Sequence, residues 1–341
     1  MRHTQRVTTV LILLLVAVSL GFVWSLAAGA VTIPAQVILN TLFDLDGSQQ
    51  GFIINRSRLP RSLLAIATGG ALALSGTIIQ ALLRNPLASP KIIGINSGAA
   101  FAVLLMSLPG TELGALFGIQ LERNWLPLVA ATGGLIAAFA VYALAELRSV
   151  SPTRLILIGI AVGFTADAGV DFILITADTY DVSAPMVWLT GSLWARGWQH
   201  LSDVWLGIGG LALLCLLMSH RLDLIRLGTA QATSLGMNVR AERAVLMALA
   251  AMLAALSVSQ VGVIGFIGLM SPHIARRLVG AHHRSVLPVA MLTGALLVLI
   301  ADAAGRAILP PIEVSAGVLT AAIGAPFFIY LLLTTSQETG E

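Results

Sequence analysis

Three arginines, Arg56, Arg58 and Arg61, crowd the residues around Leu59-Pro60 at the start of a long apolar run, in a chain that is only 10% charged. Guanidinium groups grip carboxylates through paired N–H donors, so a cluster of them is able to seat an acidic partner. The same side chains are equally able to anchor a helix end by snorkelling to lipid headgroups. Helix stability does not explain the cluster, because positive charge at a helix N-terminus opposes the helix dipole. Arg306 closes another apolar run four residues after Asp302, a spacing that sets up a local ion pair.

Asp167 and Asp171 form a second group, four residues apart on one face of an apolar stretch. A carboxylate in hydrocarbon is expensive unless it faces water or a partner. The pair therefore lines a translocation path, where it meets water or a polar or cationic part of a cargo, or it hydrogen-bonds between helices, or Asp171 lies open near an outer mouth. His273 follows Pro272 in an apolar run, and no second His, Cys or carboxylate lies at ligand spacing. A hydrogen-bonded structural histidine is expected there rather than a metal site, and His282-His283, in a turn, gives no better one.

Enzyme chemistry finds little support. The single lysine, Lys91, follows Pro90, so there is no Gly-Lys-Ser/Thr phosphate loop and the chain is not expected to hydrolyse ATP by itself. The Leu-Ser-Gly at 74–76 lies inside an apolar run and reads as small residues that let helices approach. There is no HExxH, and Ile95 stands two residues before Ser97, where a Gly-x-Ser-Gly motif needs glycine.

The elements that position these residues follow from composition. With 57% hydrophobic residues and apolar runs that repeatedly approach the length of a membrane span, the chain is built for a bilayer. Basic residues fall singly between apolar runs, which is topology rather than a nucleic-acid surface. One cysteine, Cys215, allows no disulfide within one copy. The N-terminal run ends in an Ala-Gly-Ala that resembles a signal cleavage site, but it is too long for a signal core and reads as a first span.

Breaks at Pro, Gly and charge clusters give spans near 9–29, 62–82, 92–108, 125–145, 153–176, 201–219, 242–260, 262–280, 286–305 and 312–332. The expected fold is an all-α membrane bundle of about ten helices in a single domain, 1–341, because backbone groups in hydrocarbon must bond internally. The segment 177–200 is too polar to span and carries a short surface helix near Ala184–Trp194. Arg2, Arg6, Arg84, Lys91, Arg148, Arg154, Arg221, Arg226, Arg240, Arg243, Arg276, Arg277 and Arg284 fall on one side. Arg56, Arg58, Arg61, Arg123, Arg196 and Arg306 fall on the other, a bias that puts both termini in the cytoplasm.

On the cytoplasmic side one long loop stands out, 219–243, SHRLDLIRLGTAQATSLGMNVRAER. Leu222, Leu224, Ile225, Leu227, Leu235 and Met237 alternate with charges, and Gly228 and Gly236 divide the loop into two short helical pieces. It either folds back on the bundle or presents an apolar patch to a partner.

RLPR (58–61), RNPLASPKIIGIN (84–96), LGTAQATSLG (227–236), GFIGLMSPHIAR (265–276) and GVLTAAIGAP (317–326) together resemble the FecCD-type permeases. These are membrane subunits of ABC importers for iron-siderophore complexes, haem and cobalamin. The resemblance implies a ten-helix permease that pairs with a second copy or a related permease, with two cytoplasmic ATPase subunits, and with a periplasmic binding protein. It implies no cofactor on this chain, with ATP and Mg held by the ATPase subunits, and a bacterial inner-membrane location. By the same resemblance, Arg58, Arg61 and Arg306 meet acidic residues of the binding protein, whereas Arg56 is outside the shared pattern. Leu227, Gly228, Ala232, Leu235 and Gly236 correspond to the helices that couple to the ATPase.

NPLASP also matches, although Asn85-Pro86 and Pro90 are simply helix terminators as well. Where many members have Leu-Pro before the last span, this chain has Val314-Ser315, which leaves the start of that helix open. The stretch VWLTGSLWARGW (187–198) resembles the ferric-chelate members, so an iron-siderophore or ferric-citrate cargo is expected ahead of cobalamin or haem. An ion-coupled secondary transporter is the competing class; it would need neither the cytoplasmic loop nor partners.

Overall fold

A computed structural model describes residues 2–42, 48–107, 125–146, 152–176 and 183–335 of the chain. Among the described residues, helices of 13 residues or more follow one another as α1 (Arg2–Ala27), α2 (Leu59–Leu83), α3 (Ile95–Ser107), α4 (Leu126–Glu146), α5 (Pro152–Thr176), α6 (Trp205–Leu217), α7 (Val239–Val261), α8 (Ile267–Val279), α9 (His283–Ile308) and α10 (Ala316–Thr335). Apart from an isolated bridge between Leu309 and Ile312, the described residues contain no β-structure. Each expected span has its helix, and seven helical stretches are long and apolar enough to cross a membrane by length and composition. Arg123 and Arg148, used above in counting charge by side, lie outside the described residues.

The centre of the bundle is α2. Pro60 presets the first turn, and Arg84 ends the helix in the left-handed region at φ 48°. Asn85 N–H then bonds back to the Gln80 carbonyl at 3.2 Å before Pro86 prevents continuation. Apolar all round, α2 is buried over most of its length, as are α7 and α9. In contrast, α1 and α5 leave broad apolar faces open, with Leu13 63%, Leu20 66%, Phe164 70% and Ile175 83% exposed. Such faces suit lipid or another subunit.

Helices α2 and α9 run antiparallel and meet closely at small residues. A Cβ on Gly69 would run into the Gly294 carbonyl, the kind of approach that lets apolar helices associate without a hydrophobic driving force. Arg61 meets Asp302 in the same register, and Gln80 and His283 line one cavity at the far end. From Arg61 to Gln80 the rise is about 29 Å at about 1.5 Å per residue, close to the thickness of a bilayer core.

Two expected spans start later for reasons of local backbone geometry. The span expected over 262–280 is helical only from Ile267: Gly262 (φ 74°) and Phe266 (φ 66°) are both left-handed and interrupt it. This non-helical stretch is covered by protein, as irregular backbone in a membrane must be; a Cβ on Gly262 would strike the Trp188 carbonyl. The last helix begins at Ala316 rather than 312, because the residues before it are held in a turn in which Ile312 N–H donates to Leu309 O at 2.8 Å. Val314-Ser315 makes a defined start for it: Val314 N–H donates to Gly305 O at 3.0 Å, and the Ser315 carbonyl accepts from Val318 and Leu319.

Candidate functional site

The arginines singled out in the sequence gather at one end of the α2–α9 pair, but they point inward. Arg58, Arg61 and Arg306 are only 6%, 7% and 5% exposed, so none of the three snorkels to the surface. Arg58 lies in a short π-helical turn, Ile54–Arg58, that runs directly into α2. Its Nη1 donates to the carbonyls of Leu26 (2.7 Å) and Ala27 (2.9 Å), and its Nη2 donates to that of Val31. These carbonyls belong to the C-terminal end of α1 and the residues after it, where orphan acceptors and the negative end of the helix dipole welcome a cation. Arg306 does the same from α9, reaching Ala28 O at 3.0 Å, Ser25 O at 3.0 Å and Ser25 Oγ at 2.9 Å. Together the two guanidiniums hold α1 to α2 and α9.

Arg61 is neutralised within the chain. Its Nε lies 3.0 Å from Asp302 Oδ1 and its Nη2 lies 2.8 Å from the same oxygen, while Nη1 pairs with Glu313 Oε2 at 2.9 Å. Asp302 also meets Arg306 Nε at 3.3 Å, the ion pair that the four-residue spacing suggested. The contact to Arg61 spans 241 positions of sequence, and neither it nor the role of Glu313 carried a local signal. Glu313 is the open edge of the network, its side chain 33% exposed against 1% for Asp302. Arg56 stands apart and exposed, over the Phe52 ring at 5.9 Å.

At the other end lies the 219–243 segment, which divides as the glycines suggested. A helix Ser219–Leu227 is followed by Gly228, at φ 119°, and a second helix, Thr229–Ser234. Asn238 then caps α7, its side chain accepting from Ala241 N–H at 3.2 Å. Leu222, Ile225 and Ala232 are buried against the bundle, whereas Leu227 and Leu235 are 57% and 63% exposed. The segment thus both folds back and offers an apolar face. Asp223 ties its first helix to the start of α9, accepting from His283 N–H at 3.0 Å and meeting His283 Nδ1 at 2.7 Å.

Between this segment and the helix ends lies a cavity of about 300 Å³, lined by Gln80, Ala81, Arg84, Asn85, Pro86, Arg226, Arg276 and His283. Sequence reasoning counted its arginines only as topological charge. Their common position at helix ends was the one available signal that they gather.

Asp167 is half-buried and Asp171 exposed on α5, beside the exposed Phe164 and Phe172. Neither forms a hydrogen bond or ion pair with another described residue, so bonding between helices of this chain does not account for them. His273 packs edge-on to Phe327, with ring centroids 5.8 Å apart, and its Nε2 is buried without a hydrogen-bond partner among the described residues.

Known proteins share this arrangement along nearly the full chain. The model of the FecCD transport family matches residues 7–334. The Fe(3+)-citrate import system permease protein YfmE of Bacillus subtilis is 41% identical over 333 residues, covering 97% of this chain and 96% of its own. The Fe(3+) dicitrate transport system permease protein FecD of Escherichia coli is 38% identical over 313 residues, covering 91% and 93%. Among solved structures, an inward-facing metal-chelate type ABC transporter superposes with a TM-score of 0.81 at 31% identity, over 96% of this chain and 99% of that one. A bundle of the same build, matched from its first helix to its last, makes this multi-pass membrane chain a member of the FecCD transport family.

Proposed function

We propose that the chain is the permease subunit of an ATP-driven importer that moves an iron chelate, ferric citrate or a siderophore complex, across the bacterial inner membrane. It works with a second permease, two cytoplasmic ATPase subunits and a periplasmic binding protein, its termini cytoplasmic and ATP and Mg held by its partners. The observation that carries this is the segment of Leu227, Gly228, Ala232, Leu235 and Gly236: anchored by its buried face, it holds two leucines in the open beside charged helix ends. Exposed leucines on a polar loop suit a cleft in another protein. The names of the relatives support the iron chelate.

The binding protein docks over Arg58, Arg61 and Arg306. Because Arg61 already holds Asp302 and Glu313, an incoming carboxylate meets Arg61 by replacing Glu313, the more exposed partner. Opposed charges of this kind steer and orient an encounter more than they tighten it. Asp167 and Asp171 line the translocation path on the open face of α5, where carboxylates without a partner among the described residues meet water and the polar parts of the cargo.

The test is reconstitution with candidate ATPase and receptor proteins, followed by uptake of radiolabelled ferric citrate, ferric siderophores and cobalamin. Saturable, ATP-dependent uptake of a ferric chelate is expected. Cobalamin uptake with no response to any ferric chelate would contradict the cargo, and unchanged uptake after replacing Asp167 and Asp171 with Asn would remove the path assignment.

A further inference from the structure

We propose that the cavity between Arg84, Arg226, Arg276 and His283 is a binding site for a phosphate-type oxyanion. It brings together the C-terminal end of α2, the first helix of the 219–243 segment, the last turn of α8 and the first turn of α9. Each arginine spends one contact on the protein: Arg84 Nη2 donates to Ile225 O at 2.9 Å, Arg226 to Ala281 O, and Arg276 to the Gln80 side chain. A guanidinium has five N–H donors, so most of theirs are uncommitted. None of the three has a carboxylate partner among the described residues, and none of the described residues that line the cavity is an acid. Asp223, which meets the lining residue His283, is engaged by that residue's backbone N–H and Nδ1.

Three cations around one cavity repel one another unless an anion joins them. A lone carboxylate would neutralise only one of them, whereas a phosphate group offers several oxygens to forked donors. A cavity of about 300 Å³ holds such a group with room for water. Its level, one bilayer thickness from the Arg61 cluster, is where basic pockets between spans meet anionic headgroups. Inorganic phosphate offers the same chemistry from solution. Either source would join the 219–243 segment to three helices of the bundle, and none of this depends on which cargo is carried.

The experiment uses the purified full-length chain, stripped of lipid. In detergent, inorganic phosphate is titrated at constant ionic strength against chloride. In parallel, the chain is placed in nanodiscs of phosphatidylcholine with or without phosphatidylglycerol, and thermal unfolding is followed in both. Saturable stabilisation by phosphate identifies a soluble anion; stabilisation by phosphatidylglycerol alone identifies a headgroup. Either supports the site, provided that Arg226→Gln combined with Arg276→Gln weakens the response by about tenfold or more. If that double variant does not fold, Arg226→Glu, at an exposed position, is expected to do the same alone. No response to either anion beyond chloride, or an equal response in the variants, would overturn the proposal. So would arginines that become protected only when an ATPase subunit binds, since that assigns them to a protein contact.

Discussion

An arginine cluster lies at each end of the α2–α9 pair, and the two differ in how their charge is balanced. At the Arg61 end, three buried arginines meet two carboxylates and a row of backbone carbonyls from the end of α1 and the residues after it. At the other end, three arginines ring a cavity whose described lining contains no acid. The first is a self-contained joint, and its strength lies in every member having a partner. The second has no counter-ion among the described residues, and on the proposal above a bound anion balances it. Buried or cornered charge is costly until paired, so where a fold leaves cations unpaired, the missing anion is information about a ligand.

That contrast breaks most severely at Asp302. Replacing it with Asn leaves Arg61 and Arg306 buried without their shared counter-ion, and about 3–5 kcal/mol of stability is expected to be lost, read as a lower midpoint of thermal unfolding in detergent. An unchanged midpoint would show that the joint is not held by charge. At the opposite end, Leu235→Asp should leave the chain folded, because the side chain is 63% exposed, yet weaken binding of the ATPase by about 30-fold, the effect of losing a contact worth about 2 kcal/mol. Sedimentation with a labelled ATPase subunit measures it, and full affinity would relocate the partner surface.

The smallest expected effect sharpens the comparison. Glu313→Gln removes the partly exposed member of the joint, so stability should fall by no more than about 1 kcal/mol. The same change frees one face of Arg61, and association with the cognate binding protein is expected to quicken at low ionic strength and lose that gain at high salt. Slower association would mean that Glu313 belongs to the docking surface itself rather than occupying its place.

Much of the architecture was legible because the bilayer is a simple solvent: spans of suitable length, stops at Pro86 and Gly280, and charges between them suffice to place helices. The two later starts share one cause. Gly262 and Phe266 take left-handed backbone and the residues before Ala316 are held in a turn, and hydropathy is blind to both. Local spacing revealed the Asp302–Arg306 pair, and glycine punctuation revealed the two helices of the 219–243 segment. The orientation of the arginines was not legible, because Arg58 is held by carbonyls of α1 and Arg61 by carboxylates far along the chain. A cluster of charge in sequence announces an encounter with opposite charge; it does not say whether that charge is internal.

On the proposed reading, force delivered to residues 219–243 moves this permease, which has no drive of its own. Ferric-chelate accumulation in proteoliposomes, with the ATPase and binding protein added or withheld, tests it most directly. Uphill uptake should appear only with ATP and both partners and should fall sharply in Leu235→Asp. Concentrative uptake by the chain alone, driven by a proton or sodium gradient, would contradict it.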